Sequence, residues 1–419
     1  MTKVPANILV SIVGHLAGAP RVQKEAAALV RGGYKVSIRG VWWSDQLAAE
    51  DLELAGTIGA DFAPLVDLRP KSKTALKSRI QRRIAVELYQ RLGWVTPRSF
   101  GNSGPEFVAE AKRLQPDLVI VHSEAGLWAG KKLLEWGLRV GVDFEDWLSE
   151  DLLPEARKGR PVAALKELEH YHLKHASYCT TTTVAMAEAM AKDAKVDRIP
   201  MAIPNCFPWA ERSIALHQPG DPRGEEISFY WYSQTVGQGR GLEELGQVLM
   251  AVRGNWKLRL RGTLRASEGW FDKSFPAEIR ERVELLGPVS NTELLARHMS
   301  HDVGLALEIP YGANKNLTAS NKIFDYLRAG LAVIATDTEG QCEVMADCPD
   351  AGWLVSAGNF DTLVRALQAA INDPEGLARR KQAALEAAER RWSWERYEPS
   401  LVRLIESVLN NRVNGSFLP

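Results

Sequence analysis

The sequence predicts an α/β fold of two domains, each built on a parallel sheet, and three observations carry that prediction. A chain of 419 residues exceeds what one hydrophobic core ordinarily supports. In both halves short apolar runs alternate with helical patterns, and an apolar run followed by a glycine turn, a helix and a second apolar run is a βαβ unit, which belongs to a parallel sheet. Between the halves, Pro200, Pro204, Asn205, Pro208 and the stretch 218–222 form the most loop-rich region of the chain, so the expected domains are 1–205 and 206–395.

In the first half, Asn7–Val13 reads as a strand, and Gly14 and Gly18 bracket the turn after it. A helix begins near Pro20, with Val22, Ala26, Leu29 and Val30 on one face and Gly32-Gly33 closing it. Tyr34–Val41, Asp117–Val121 and Arg139–Asp143 are further strands. Val162–Ala176 is helical, and Tyr178–Thr182, Val184–Lys192 and Val196–Ile199 read strand, helix, strand. The second half restarts with strand Ile227–Tyr232, a turn through Gly237, Gly239 and Gly241, and a helix from Leu242 that turns Leu245, Val248, Leu249 and Val252 inward. Strands at Trp256–Arg261 and Val283–Leu286 lead to the most informative stretch, Asp302–Asp337. It reads strand to Leu307, polar loop Asn314–Asn321, a helix capped by Ser320 with Ile323, Phe324 and Leu327 buried and Gly330 as its stop, then strand Leu331–Ala335.

Lysine and arginine together number 52 and so do aspartate and glutamate, so the whole chain exerts no net attraction on nucleic acid or membrane. Cys179, Cys206, Cys342 and Cys348 form no CxxC and have no histidine at zinc-ligand spacing, which fits reduced thiols in a cytoplasmic protein. Ile8–Val13 is too short for a signal peptide, and no apolar run reaches membrane-spanning length. One patch departs from the balance. Residues 69–98 carry Arg69, Lys71, Lys73, Lys77, Arg79, Arg82, Arg83, Arg91 and Arg98 against Glu87, while Leu76, Ile80, Ile84, Leu88 and Leu92 form an apolar stripe with Trp94 just beyond. Two readings stand: a surface helix packed on its own domain, or a basic amphipathic surface resting on anionic lipid at the inner face of a membrane. Aromatics are not interleaved there with base-reading side chains, so nucleic acid is not an expected partner.

The candidate site residues fall where open α/β sheets bind ligands, beyond the carboxyl ends of strands. Around Gly18 the GxGxxG spacing is absent, so NAD is not expected; the turn either admits a ligand to the backbone or is structural. His122 follows a strand directly, with Ser123 and Glu124 behind it, and there it either exchanges protons and hydroxyl hydrogen bonds with a ligand or sits as a bonded loop histidine. Glu145 and Asp146, in the loop Phe144–Trp147, suit sugar hydroxyls and equally a capped helix start. Gly239 and Arg240 form a turn like a phosphate cradle without the GxxxxGK[ST] form; the guanidinium either meets a diphosphate bidentately or is solvated. Ser320, Asn321 and Lys322 open a helix whose free N–H groups favour an anion. Asp325, one turn further on the same face, either accepts two ribose hydroxyls, pairs with Lys322, or favours the helix N-terminus by its charge.

Several pieces then match one known family in order and spacing: Pro20-Arg-Val-Gln-Lys-Glu-Ala-Ala-Ala-Leu with Gly33-Tyr-Lys-Val, Val121-His-Ser, Ile203-Pro-Asn205, Asp302-Val-Gly-Leu, and Asn321 through Asp337. Over nearly its whole length the chain resembles a GT-B glycosyltransferase of the family 4 type, the retaining, nucleotide-sugar-dependent class of group 1 enzymes. The resemblance implies two Rossmann-like domains facing across a cleft, the donor in the C-terminal one, the acceptor in the N-terminal one, and a last helix around 396–412 that crosses back to the N-terminal domain. It implies that His122 lies near the transferred sugar, that Arg240 stands where a lysine contacts the donor diphosphate, and that Asp325 takes the place of the second glutamate of a paired motif that holds the ribose. Three positions depart from the family pattern. Leu317 stands in place of the first glutamate, Gln234 in place of an arginine, and Asp325 is one methylene short; Glu308 is the candidate replacement for the missing carboxylate. The implied reaction moves a sugar from a nucleotide-diphosphate sugar to a hydroxyl of a glycan, a lipid-linked acceptor or another small acceptor, with Glu124, Glu145 and Asp146 on the acceptor side. No DxD-like metal site is evident, so neither a metal nor another cofactor is expected, and polysaccharide or glycolipid assembly is the commonest setting. A nucleotide-sugar 2-epimerase on the same fold and a non-catalytic nucleotide-sugar-binding protein are the rival readings.

Overall fold

The structure, a computed structural model, describes residues 4–70, 72–152 and 154–410; Lys71 of the basic run and residues 411–412 of the expected last helix lie outside the described residues. The chain divides into two units, the first ending at Ile203 and resuming at Tyr397, the second running Pro204–Arg396.

The first unit holds strands β1 (Asn7–Ser11), β2 (Lys35–Trp42), β3 (Asp61–Asp67), β4 (Leu118–Val121), β5 (Val140–Phe144), β6 (Tyr178–Thr181) and β7 (Met201–Ala202). They form one parallel sheet in the order β3-β2-β1-β4-β5-β6-β7. Helices α1 (Pro20–Arg31), α2 (Asp45–Ile58), α3 (Lys73–Leu92), α4 (Gly104–Leu114) and α5 (Ser123–Glu135) connect the first five strands. Every residue of β4 and β5 is buried, as in a parallel sheet covered on both faces. The chain winds one way from β1 to β2 and the other way to β4, so the carboxyl ends of β1 and β4 flank the crevice where such sheets bind ligands.

The second unit repeats this plan with β8 (Ile227–Val236), β9 (Trp256–Leu264), β10 (Val283–Leu286), β11 (Val303–Ala306), β12 (Ala332–Thr336) and β13 (Gly352–Val355), all parallel in the order β10-β9-β8-β11-β12-β13. Its corresponding crevice lies between β8 and β11. Gly304 in β11 lets the ring of Tyr326 lie against the strand, since a Cβ there would fall 2.2 Å from Tyr326 Cγ. That close approach seats the helix Asn321–Ala329 over the sheet.

Some elements differ from the sequence reading. The strand expected at Val196–Ile199 lies instead at Met201–Ala202. β8 continues past Tyr232 to Val236 through a register break between Tyr232 and Thr235, and the loop expected at 314–321 contains a short helix, Ala313–Leu317. β3 escaped the reading because it contains Pro64, which lacks a donor for an inner ladder; β3 is the edge strand, where that loss is tolerated. The last helix spans Trp394–Asn410, and within the first unit its Glu398 accepts two bonds from Arg31 of α1, at 2.9 and 2.6 Å. Among the described residues no helix is long and apolar enough to cross a membrane.

Candidate functional site

In the first unit, four charged side chains meet beyond β1, β4 and β5. Arg21 and Glu25 stand one turn apart on the first turns of α1, and so share a face. His122 is the N-cap of α5 and follows β4 directly; the abrupt entry into that helix places Ser123 at a φ of 68°, a region a non-glycine residue rarely adopts. Asp143 belongs to β5. All four are buried. Arg21 donates from Nε to Asp143 Oδ2 at 2.5 Å and from NH2 to Oδ1 at 2.8 Å, and its NH1 reaches the Ile203 carbonyl at 2.8 Å. Thr180 Oγ1 donates to Asp143 Oδ1 at 2.8 Å. His122 Nε2 lies 3.0 Å from Glu25 Oε2, and Nδ1 lies 3.6 Å from Asp143 Oδ2.

Electrostatics decide the charge state of this cluster. Burial alone lowers the His122 pKa, but the hydrogen bond and charge of Glu25, joined by Asp143 and Glu145, outweigh it and leave the pKa raised. Burial pushes Asp143 up, and Arg21, joined by His122 and Thr180, more than reverses it, holding the carboxyl below its ordinary range. Glu25, His122 and Asp143 also offer a trio of potential metal-ligand atoms, all within 4.8 Å of one another. Both Asp143 oxygens already accept from Arg21, and His122 Nε2 already lies against Glu25, so all three side chains are engaged within the cluster.

The raised His122 pKa has a testable consequence. A group whose folded pKa lies above its unfolded value of 6.5 contributes stability in full below that pH and loses it as pH rises through the folded value. The melting temperature of the first unit is therefore expected to fall as pH rises above 6.5, with a shallower fall in His122→Asn. Glu169, pushed up to about 7 by burial in the same unit, acts in the same direction, so only the comparison with the variant isolates His122. Identical slopes in the two proteins would contradict the charged assignment.

The remaining first-unit candidates are not part of this cluster in the same way. Glu124 pairs with Arg160, and burial raises its pKa. Glu145 and Asp146 are half-buried beside the cluster, and Glu145 is raised by burial. Gly18 closes the turn Leu16–Gly18, and a Cβ there would meet nothing, so no steric need for glycine exists.

In the second unit, β8 delivers the turn 237–241, where Gly239 and Gly241 adopt φ of 73° and 74°. Arg240 between them is exposed, with NH2 donating to Thr235 Oγ1 at 2.9 Å. Gln234 is exposed near the end of β8. A Cβ on Gly241 would lie 3.7 Å from the Leu307 carbonyl oxygen and 3.8 Å from Ile309, so this turn borders the loop after β11. There the Glu308 backbone N–H donates to Thr336 Oγ1 at 2.9 Å, and the hydroxyl donates back to the Glu308 carbonyl at 3.0 Å. The Glu308 carboxylate accepts from Lys322 Nζ at 2.7 Å; burial pushes Glu308 up, but Lys322 and Ser320 hold its pKa below the ordinary range. Ser320 caps the helix through the Lys322 N–H at 3.4 Å, and Asn321 is exposed at its first position.

Asp325 requires a correction. It is 2% exposed, and both oxygens are engaged: Oδ2 accepts from the Tyr232 hydroxyl, and Oδ1 accepts from Arg328 Nε at 2.9 Å and lies 2.8 Å from Arg328 NH2. It pairs with Arg328, not with Lys322, and in this arrangement it presents no open oxygen to a ribose. Leu317, at the position of the first family glutamate, is buried. The sequence reading missed Arg21, Glu25 and Asp143 in the first unit, and Tyr232, Arg328 and Thr336 in the second. The i, i+4 spacing of Arg21 and Glu25 was the one local signal of such a network.

Residues 232–373 match the family model described as glycosyl transferases group 1. Over that span the chain is similar to the group 1 glycosyltransferases. The matched span contains the turn with Arg240, the Glu308 loop and the helix that holds Lys322 and Asp325. No curated protein matches the chain by sequence. Solved structures do match by fold. The chain resembles Anabaena Alr3699/HepE in complex with UDP-glucose, at 13% identity and a TM-score of 0.68 over 96% of this chain and 100% of that one. Sucrose-phosphate synthase from Thermosynechococcus elongatus matches at 16% identity and 0.67, over 97% and 100%. A putative UDP-N-acetylglucosamine 2-epimerase from Listeria monocytogenes matches at 11% identity and 0.56, over 100% of both chains.

Proposed function

We propose that the protein is a retaining, metal-independent glycosyltransferase that moves a sugar from a nucleotide-diphosphate sugar to a hydroxyl of a glycan, a lipid-linked acceptor or another small acceptor. The observation that carries this reading is the group 1 match over 232–373, because that span holds both an exposed arginine in a glycine turn and a capped helix N-terminus. In this reading the second unit, Pro204–Arg396, binds the donor and the first binds the acceptor. Arg240 keeps most of its guanidinium donors for the diphosphate, and together with the N–H groups at Ser320–Lys322 it stabilises the charge that grows on the departing group. Front-face attack, with that diphosphate accepting the hydroxyl proton, retains the configuration at the sugar. His122 serves as a fixed cation beside the sugar, since both its nitrogens face carboxylates and leave it a poor free base. Glu308 takes over the task of the carboxylate that Leu317 lacks, while Glu145 and Asp146 face the acceptor. The setting is the inner face of a membrane, in polysaccharide or glycolipid assembly, with the stretch 69–98 toward the lipid.

A thermal-shift screen against UDP, GDP, ADP, CMP and dTDP tests the donor assignment, because a ligand that binds only the folded state raises the melting temperature by mass action. Stabilisation by one of them is expected, with UDP the first candidate because a fold neighbour was solved with UDP-glucose. Stabilisation by none, with no sugar transfer from any nucleotide sugar after chelation, would overturn the reading. The Listeria neighbour supports a second reading, a nucleotide-sugar 2-epimerase. Incubation of the nucleotide sugar without acceptor separates the two: a C2 epimer as product favours the epimerase.

A further inference from the structure

Helix α3 packs with the opposite polarity to an ordinary surface helix. Its buried face is made by the small residues Ala75, Ser78 and Ala85. Most of its apolar stripe faces out: Leu76, Ile80 and Ile84, spaced by four and so aligned along the helix, are 67%, 49% and 53% exposed, while Leu88 further along is half-buried. Leu92, Trp94 and Val95 continue the exposed apolar surface past the helix end. An amphipathic helix that only completes its own core turns such a stripe inward. The helix does pack on its own domain, as the first reading of the 69–98 stretch expects, but it does so through small side chains and leaves much of the stripe uncovered.

The stripe is bordered by cations. Arg79, Arg83 and Arg91 each precede an apolar stripe residue by one position and so lie along one flank, Lys77 follows Leu76 on the other, and all four are exposed. Arg91 pairs with Glu87 at 2.8 Å, the one acidic residue in the α3 sequence, and Arg79 donates to the Leu68 carbonyl at 2.7 Å. The chain as a whole has zero formal net charge, so this cationic excess is local. Aliphatic centre and guanidinium rim are the two halves of an interfacial helix. The apolar side chains enter the acyl boundary while the long basic side chains reach back to the phosphates, and a tryptophan at one end suits the headgroup level. Apart from Glu87 the rim is cationic, so its complement is an anionic surface.

We propose that the outward face of α3, with Trp94 and Val95, docks onto an anionic phospholipid bilayer. This assigns a surface and a lipid class to the membrane setting of the proposed function, and it does not depend on the donor site. The full chain is floated with vesicles of phosphatidylcholine alone and of phosphatidylcholine with about one-third phosphatidylglycerol. The expected result is binding to the second and not the first, weakened as salt is raised. A Leu76→Ser, Ile80→Ser, Ile84→Ser triple variant and an Arg79→Glu, Arg83→Glu double variant are each expected to reduce binding at least tenfold. Unchanged circular dichroism and unchanged response to UDP in both variants show that the fold and the donor site persist. Absence of binding to anionic vesicles, or binding that neither variant weakens, would overturn the proposal. So would a dimer in sedimentation velocity that the triple variant dissolves, since a second copy would then cover the stripe. Vesicle binding reads no turnover, so a failed donor assignment and a failed lipid surface give different results.

Discussion

Asp143→Ala is expected to lose about 3–5 kcal/mol of stability, because it leaves the buried Arg21 charged and without its carboxylate. The loss spreads further than one ion pair. Asp143 also accepts the Thr180 hydroxyl and faces His122 Nδ1, so its removal loosens β6 and the N-cap of α5 together. A first unit of this size responds by roughly 2–4 °C per kcal/mol, so the shift in its melting transition is on the order of 10 °C. Asp143→Asn, which keeps one acceptor oxygen, is expected to fall between the variant and the parent. Thermal melting by circular dichroism is the measurement. A fall of less than about 1 kcal/mol in Asp143→Ala would show that Arg21 finds water or another partner, and that the cluster is not a closed network.

Arg240→Ala and Asp325→Ala are expected to separate binding from stability. Arg240 is exposed and holds one bond to Thr235, so its loss barely changes the melting temperature of the free protein. It does remove a charge-assisted donor to the diphosphate, worth about 1.5–3 kcal/mol, which is roughly a tenfold to hundredfold loss of nucleotide affinity. Asp325→Ala has the reverse profile. It strips the Tyr232 hydroxyl and the buried Arg328 of their shared acceptor, and the cost approaches the lower end of about 3–5 kcal/mol because Arg328 keeps Glu211 at 2.6 Å. Isothermal titration with UDP and thermal melting of the same proteins decide both. If Arg240→Ala binds UDP as tightly as the parent, the glycine turn is not the diphosphate site.

The difference between these two residues shows where sequence reading reached and where it stopped. Gly239 and Gly241 flag a tight turn whatever the surroundings, because their left-handed backbone is a local property, and Arg240 between them is exposed accordingly. For Asp325 the same kind of argument left a ribose, Lys322 and the helix N-terminus open as partners. Its partner Arg328 is only one turn away, but Tyr232 reaches it from β8, 93 residues earlier, and no spacing rule connects those two. His122 is similar: its place after a strand was legible, whereas its confinement between Glu25 and Asp143 was not.

By itself the sequence determined the fold class, two parallel-sheet α/β domains, since apolar periodicity and glycine turns act over a few residues and state the βαβ rhythm directly. It also determined that the turn at 237–241 and the helix from Asn321 follow strands β8 and β11 in the same half. The tertiary structure alone decided which charges are paired, because Arg21 and Asp143 are 122 residues apart and meet only when the sheet order sets β1, β4 and β5 side by side. It alone decided the direction of the α3 stripe. Helical spacing states that apolar residues share a face, and whether that face meets the domain or the solvent depends on what the rest of the chain presents to it; here Ala75, Ser78 and Ala85 took the inner side, and Leu76, Ile80 and Ile84 were left outside.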